Sequence, residues 1–388
     1  MLDFHSLAGQ LSDFTAYRRD EDARHADRLG RAADALPRSA VNWTELADRV
    51  RIEGGKGAPL RGLPLEPPDT HRMAPPRPDT VTVVATDGSQ IFPDRHVEPA
   101  CYLLNVSRVA FHYGTLDAPV MAAEPSLRFR QQDLAELNPP DEHARLDVSA
   151  EVVSAFRDEL ELKWLYRTAE QEQRSGRPIV ALADGTLIRW MLRGMKNRWL
   201  EDQLVAQYVA VLQRFQDRHI PVASYISSPG TDEVINLLRL FLGEDVQPPL
   251  DGGLAGLLDR HLFHRVLLPG ERSALFLSGS RILKEAYGDD QHVGFFYLRL
   301  PGEVARVEMP RWVMDRPELV DLVHAVVLDD AEKGGGYPVT LTEAHERAVI
   351  RAPEKDLFYR LLERQMAANG GAGMLSSAKA ASKRVPRI

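Results

Sequence analysis

The sequence predicts an α/β protein with a mixed sheet flanked by helices, preceded by a helical arm and carrying an inserted or C-terminal helical region. Two apolar, β-branched runs, VTVVATDGSQ at 81–90 and IVALADGT at 179–186, each end in Asp-Gly, as buried strands that close in a turn do. The run ACYLLNVSRVAFHYG at 100–114 predicts a strand antiparallel to the first. Because amphipathic helical segments alternate with later strands, the sheet is expected to be mixed.

Three regions are predicted along the chain. Residues 1–78 form an N-terminal helical arm followed by a Pro/Gly-rich linker, residues 79–365 form the main α/β domain, and residues 366–388 form a flexible basic tail. The arm is indicated by apolar residues at helical spacing, namely Leu7, Leu11, Phe14 and Tyr17. Within the domain we expect helices at about 144–173, 231–242 and 317–336, a strand at 220–228, and a hairpin with a Pro-Gly turn at 295–310.

Composition limits the classes of function. A hydrophobic fraction of 44% and the single cysteine, Cys101, predict a globular protein without an intramolecular disulfide or a cysteine-rich zinc site, as is typical of a reducing cytoplasm. The start of the chain lacks a leader sequence, and no apolar run reaches the roughly 20 residues that span a bilayer, so a soluble, cytoplasmic protein is expected. The net charge of −8 argues against a uniformly basic nucleic-acid binder and leaves only local basic clusters for that role.

Asp87 and Asp184 are the most informative residues, since each follows an apolar strand and precedes a glycine. A single Asp-Gly is usually only a turn. Two aspartates delivered by neighbouring strands, however, provide the converging carboxylates that hard divalent cations prefer. The pair therefore predicts a metal site at one edge of the sheet.

A third carboxylate is expected from the helix before the second aspartate strand. Glu161 and Glu159 are both candidates, and the sequence does not separate them. The alternative for either residue is a charged, solvated helix face.

The segment GGGYPVTLTEAHERAVI supplies a tyrosine and a histidine near the end of the domain. We expect Tyr337 on a short strand and His345 in the first turn of a helix, with Thr342 as the N-cap. A helix N-terminus disfavours the imidazolium, so a neutral His345 is expected to serve as a metal ligand or a proton acceptor. The alternatives are a packing tyrosine and a capping-turn histidine.

The chain resembles the NurA nucleases over roughly residues 80–360. The resemblance rests on the DGS at Asp87, the acidic helix near Glu161, the DGT at Asp184, and a tyrosine, Tyr337, followed eight residues later by His345. It implies an RNase H-like fold and a homodimer that acts with a HerA-type hexameric ATPase in DNA end resection and double-strand break repair. It also implies 5′ to 3′ exonuclease and single-strand endonuclease activity with Mn²⁺, or alternatively Mg²⁺, as the cofactor.

Carried over to this chain, the resemblance makes Asp87, Glu161 (or Glu159), Asp184 and His345 metal ligands, while Tyr337 holds the scissile phosphate or water. Candidate DNA contacts are basic and aromatic residues, namely Arg95, Arg189, Arg193 and Lys196 with Phe92, Trp190 and Trp199. The sequence contains no P-loop, so any ATP-driven step is assigned to a partner. Two other functions fit the residues: a catalytically weak adaptor that docks DNA onto a motor ATPase, and a metal-dependent phosphohydrolase of small phosphoesters.

Overall fold

A twelve-stranded sheet runs through the protein in the computed structural model, which describes residues 4–53, 57–93, 101–129, 149–192, 198–244 and 253–368. The strands are β1 (Leu63–Pro64), β2 (His71–Met73), β3 (Val81–Thr86), β4 (Gly88–Ile91), β5 (Tyr102–Tyr113), β6 (Val120–Arg128), β7 (Ile179–Asp184), β8 (Val222–Ile226), β9 (Glu271–Ser273), β10 (Phe276–Leu277), β11 (Val293–Arg299) and β12 (Val304–Pro310). The helices are α1 (Phe4–Ala40), α2 (Trp43–Glu53), α3 (Ala150–Glu172), α4 (Arg198–Asp217), α5 (Glu233–Leu242), α6 (Asp259–Val266), α7 (Arg311–Met314), α8 (Pro317–Lys333), α9 (Val339–Ala348) and α10 (Ala352–Ala368).

Five strands form the core of the sheet in the order β6-β5-β3-β7-β8. The pairs β6–β5 and β5–β3 are antiparallel, whereas β3–β7 and β7–β8 are parallel. The two parallel connections pass through α3 and α4, as crossovers between parallel strands require. Counted among themselves in chain order, β3, β5, β6, β7 and β8 are strands 1 to 5. Their spatial order is then 3-2-1-4-5, which is that of an RNase H-like core. The predicted fold class is therefore confirmed.

Strands β3 and β7 lie at the centre of the sheet, where helices cover both of its faces. All six residues of β3 are buried, which explains why its sequence is continuously apolar or β-branched rather than alternating. Helices α3 and α9 pack against β3, and α3 and α8 pack against β7. The site elements therefore share one large hydrophobic core.

The sheet continues beyond β8 into the antiparallel strands β12 and β11, which form the predicted hairpin. A second apolar cluster covers this half, where the C-terminal part of α1 packs against α5 and α6 through Ala32, Ala35 and Leu36. The N-terminal part of α1 leaves Leu11, Phe14 and Tyr17 exposed. The helical arm is thus anchored at one end, with an apolar stripe at the other.

One local prediction differs from the structure. The Pro/Gly-rich stretch is not only a linker, because β1 pairs with β10 and β2 pairs with β9 at the margin of the sheet. Such short edge strands tolerate proline, since one side of their backbone needs no partner. Trp190 begins a 3₁₀ turn, Trp190–Leu192, which precedes α4. Within the described ranges, no helix is both long enough and apolar enough to cross a membrane.

Candidate metal and nuclease site

The carboxyl ends of β3 and β7 bring the two predicted aspartates to the same edge of the sheet. Thr86 pairs with Ala183 in the parallel register, so Asp87 and Asp184 follow at adjacent positions. Asp87 is 20% exposed and Asp184 is exposed. The two carboxylates therefore face an open cleft from a rigid support.

Only Asp184 is followed by a turn. After Asp87 the predicted turn is wrong, because the chain runs directly from β3 into β4 and both strands pair with β5. The Gly88 amide donates to Asp87 Oδ1 at 2.8 Å, which fixes the carboxylate at the junction of the two strands. Gly185 has φ of 77°, a left-handed conformation that disfavours side chains, and its amide donates to the Tyr225 carbonyl at 3.0 Å. At Asp184 the turn and the projecting acid are thus parts of one arrangement.

Glu161 of α3 lies in this cleft, whereas Glu159 does not. A Cβ atom added to Gly88 would lie 2.4 Å from Glu161 Oε1, so glycine allows the helix to approach the chain directly after Asp87. Glu159 pairs with Lys163 at 2.6 Å and lines a separate cavity with Trp199. Two residues apart on a helix, the side chains point about 200° apart. Of the two alternatives left by the sequence, Glu161 is the one beside Asp87.

The surroundings of Glu161 disfavour its charge. Its Oε1 lies 2.9 Å from Arg157 Nε, but the oxygen accepts no well-aligned hydrogen bond from the described part of the chain. Desolvation, followed by the charges of Asp158 and Asp87, raises the pKa of Glu161 to about 8, against the opposing effect of Arg157. This carboxylate is therefore held in a position where a cation would stabilise its ionised form.

Asp158 and Arg157 are site residues that the sequence did not single out. The Asp158 carboxylate is nearly buried, accepts from Arg157 Nη2 at 2.7 Å, and forms a close ion pair with Arg189. Arg157 also donates to Gln90 Oε1 at 3.0 Å, which ties α3 to β4. Side chains of alternating charge along a helix usually indicate a solvated face. This cluster differs from such a face in being buried, which the sequence alone does not show.

His345 lies on the other side of Asp87, with Nδ1 2.8 Å from Asp87 Oδ2. Its predicted helix position was wrong, because α9 begins at Val339 and Thr342 lies inside the helix, donating to the Pro338 carbonyl. The helix starts earlier because the buried Asp330 accepts from the Thr340 amide and hydroxyl. His345 is therefore in the last turn of α9 rather than the first, so the expectation based on a helix N-terminus does not apply to it.

The end of α9 is attached to the first aspartate motif. Both Ser89 Oγ and Asn105 Nδ2 donate to the Ala348 carbonyl, the latter at 2.9 Å. The serine of the DGS motif therefore links β4, which directly follows Asp87, to the helix that carries His345.

Tyr337 contacts the second aspartate. Its hydroxyl donates to Asp184 Oδ1 at 2.9 Å, and its ring packs edge-on against Tyr225. Tyr337 lies in a bend after the three glycines rather than on the predicted strand, because the glycines end α8 and the chain turns directly into α9. Desolvation raises the pKa of Asp184, partly offset by the Tyr337 hydrogen bond, and the charge of Asp87 raises it further.

The donor chemistry fits a hard divalent cation, although each acid has a protein partner here. Asp87, Asp184 and Glu161 are oxygen donors at one edge, and Glu161 carries a buried, poorly satisfied oxygen. In the described ranges, no three histidine, cysteine, aspartate or glutamate side chains are arranged to hold a metal ion. A bound ion would therefore have to replace some of the existing contacts.

The predicted DNA contacts are only partly described. Arg189 is 11% exposed, pairs with Asp158 and lies over the Tyr208 ring, so contact with a phosphate would require that pair to open. Trp190 is 58% exposed just beyond the DGT turn, and Phe92 and Trp199 are each 39% exposed. Arg95, Arg193, Lys196 and the basic tail residues lie outside the described residues.

Comparison with known proteins places these features in a family. The NurA nuclease from Sulfolobus solfataricus has 14% identity and a TM-score of 0.49, with 93% of this chain and 98% of that chain covered. A structure described as NurA with manganese has 12% identity and a TM-score of 0.36, with 86% and 95% covered. No curated protein matches. The model of the NurA domain matches residues 81–350, well over half of the sequence, and the chain therefore belongs to the NurA family.

Proposed function

We propose that this protein is a metal-dependent DNA nuclease. The observation that carries the proposal is the placement of Asp87 and Asp184 at the carboxyl ends of two neighbouring parallel strands, with Glu161 of α3 beside the first of them. Family membership supports a nuclease, and a NurA structure with manganese is among those that this chain resembles.

Asp87, Asp184, Glu161 and His345 would hold the metal, in exchange for contacts that they now make with Tyr337, Arg157 and each other. When bound, Mn²⁺ or Mg²⁺ supplies Lewis acidity and lowers the pKa of water. The chain itself supplies orientation, because the Gly88 amide holds the Asp87 carboxylate and Ser89 holds the end of α9. The Tyr337 hydroxyl, released from Asp184, would donate to a phosphate oxygen or to the attacking water.

The openness of the site supports a polymeric substrate over a small phosphoester. His345 is 61% exposed and Asp184 is exposed, so the acids are reached from the surface. The cavity lined by Glu161, Asp184 and Thr186 measures about 30 Å³, which holds roughly one water and no nucleotide. Trp190 is placed to stack a base beside the DGT turn.

The finer assignments belong to the same proposal. We expect 5′ to 3′ exonuclease and single-strand endonuclease activity, a homodimer, and cooperation with a HerA-type hexameric ATPase in end resection. The exposed apolar stripe of α1 is a surface that a second copy or the ATPase would cover. Co-sedimentation with the purified ATPase, with and without residues 1–20, tests the partner, and light scattering of the protein alone tests the dimer.

The decisive experiment measures nucleotide release from end-labelled DNA with Mn²⁺, Mg²⁺ or chelator. Asp87→Asn and Asp184→Asn are expected to abolish release, whereas Asp117→Asn, at the opposite end of the sheet beside Arg177, should behave as wild type. Labels at the 5′ and the 3′ end separate the polarities. DNA binding without cleavage under every metal, also with the ATPase present, would favour the adaptor. Hydrolysis of p-nitrophenyl phosphate but not of DNA would favour the phosphohydrolase.

A further inference from the structure

A buried chain of charged side chains runs from the second apolar cluster to the DGT turn. Arg306 and Glu308 lie two residues apart on β12, both 1% exposed, in a strand whose seven residues are all buried. Arg306 donates to Glu308 Oε1 at 2.8 Å and to Glu233 Oε1, in the first turn of α5, at 2.9 Å. Buried charges are rare and need partners, so such a chain in the core calls for a reason.

Glu308 ends this chain at the DGT turn. Its Oε2 accepts from Thr186 Oγ1 at 2.8 Å and from the Leu187 amide at 2.9 Å. The Thr186 hydroxyl also accepts from the Ile188 amide at 3.0 Å. One carboxylate oxygen therefore fixes the backbone two and three residues after Asp184.

Sheet register explains how Glu308 reaches that far. Glu308 pairs with Ser224 of β8, and Ser224 pairs with Ala183 of β7. These three residues lie in line across the strands, and serine and alanine are small enough for the glutamate to extend over them. Larger residues at either position would block its path to Thr186.

Arg306 keeps Glu308 charged and oriented. Burial alone would lower the pKa of Arg306, but Glu233 and Glu308 outweigh it and raise the pKa, so the guanidinium stays ionised. Its other carboxylate partner, Glu233, accepts from Ser278 Oγ and the Gly279 amide at 2.9 and 2.8 Å. The chain is thus fixed at its far end as well.

We propose that Glu308 is a positioning residue, which holds the DGT turn through Thr186 and thereby sets where the Asp184 carboxylate points. The inference rests on the proposed nuclease function for its catalytic consequence only. It assigns a role to the threonine of the motif, whose hydroxyl is bonded to Glu308 and to the Ile188 amide.

The test compares Thr186→Val, which removes the hydroxyl at constant shape, with Thr186→Ser, which restores it, and with Glu308→Gln. Thr168→Val is the matched control, because the Thr168 hydroxyl donates only within α3. In Thr186→Val and Glu308→Gln, we expect kcat for DNA cleavage to fall about 10- to 100-fold with KM for DNA within about twofold. Thr186→Ser should recover most of kcat.

Hydrogen exchange gives a readout that does not depend on cleavage. Loss of the Glu308 contacts should speed exchange in the peptide covering 184–189 by about tenfold, with exchange in β3 unchanged. If wild type cleaves no DNA, the proposed function fails, and exchange still decides the positioning role. Wild-type kcat in folded Thr186→Val, unchanged exchange at 184–189, or a kcat loss that only matches the unfolded fraction would overturn the inference.

Discussion

His345 Nδ1 lies 2.8 Å from Asp87 Oδ2, which brings together two residues that are 258 positions apart in the chain. The contact joins the end of β3 to the last turn of α9, and Ser89 and Asn105 secure the same helix end. The first and last elements of the NurA match therefore meet at a single carboxylate.

Replacing His345 by Gln should lower kcat by about 100-fold or more, because the site loses a metal ligand or proton acceptor. The fold should persist, since the side chain is 61% exposed. A suitable control is His71→Gln, because His71 forms a similar pair with Glu271 at 2.9 Å and is 57% exposed, but lies on the edge strand β2. Single-turnover cleavage and thermal melting are measured for both. Equal activity in the two variants would remove His345 from the site.

Glu161 should make metal binding depend on pH. Below its pKa of about 8 the carboxyl is protonated, so an entering ion must displace a proton. Mn²⁺ affinity is therefore expected to fall by up to about tenfold per pH unit below 8 and to level off above it. Calorimetric Mn²⁺ titration between pH 6 and 9 measures this slope. Glu161→Gln should bind more weakly and lose the slope, and an unchanged slope would show that another group titrates.

The same pKa shift affects the stability of the metal-free protein with a definite sign. Because the folded pKa of Glu161 lies above its unfolded value, the folded state binds the extra proton, and its stabilisation is lost as pH rises from about 4.5 to about 8. Glu161→Gln avoids this loss, so it should melt at a higher temperature than wild type at pH 8 and show little difference at pH 5. If Glu161→Gln melted at a lower temperature than wild type at pH 8, the result would contradict a destabilising burial of ionised Glu161.

Gly88→Ala tests the close approach of α3 to Gly88, the residue that follows Asp87. The new Cβ would lie 2.4 Å from Glu161 Oε1 and 2.8 Å from Arg157 Cγ, so both side chains must move. We expect at least about tenfold lower cleavage and weaker Mn²⁺ binding with little change in circular dichroism. Gly230→Ala is the control, because its Cβ would meet nothing within 4 Å. Full activity in Gly88→Ala would mean that the position of Glu161 is not critical.

The sequence predicted the site acids better than it predicted what holds them. Asp87 and Asp184 could be found because a strand ending in Asp-Gly is a local pattern, and the structure places both at one sheet edge. The choice between Glu161 and Glu159 depends on which helix face meets Gly88, and a single sequence does not contain that information. Local sequence patterns therefore identify the candidate metal-ligating carboxylates, while the residues that position them depend on tertiary contacts.

Glu308 is a positioning residue that the sequence pattern around it could have indicated. In the run VARVEMP, Arg306 and Glu308 interrupt an otherwise apolar strand at alternate positions, so they share one face. A buried strand with paired opposite charges on one face indicates an internal ion pair rather than a solvated edge. The start of α9 was mispredicted because the residue that fixes it, Asp330, lies on another helix and leaves no local pattern next to Thr340.

Thr340→Val tests whether that anchor positions His345. The buried Asp330 carboxylate accepts from the Thr340 hydroxyl at 2.8 Å, the Thr340 amide at 3.1 Å and the Tyr113 hydroxyl at 2.5 Å. Removing one donor leaves the carboxylate less satisfied, so the free energy of unfolding should fall by about 1–3 kcal/mol. Because α9 then starts less firmly, kcat in the remaining folded protein should also fall. Thr342→Val, whose hydroxyl bonds only within the helix, should change neither quantity. Urea unfolding and single-turnover cleavage measure both, and a stability loss with unchanged kcat would restrict Asp330 to a structural role.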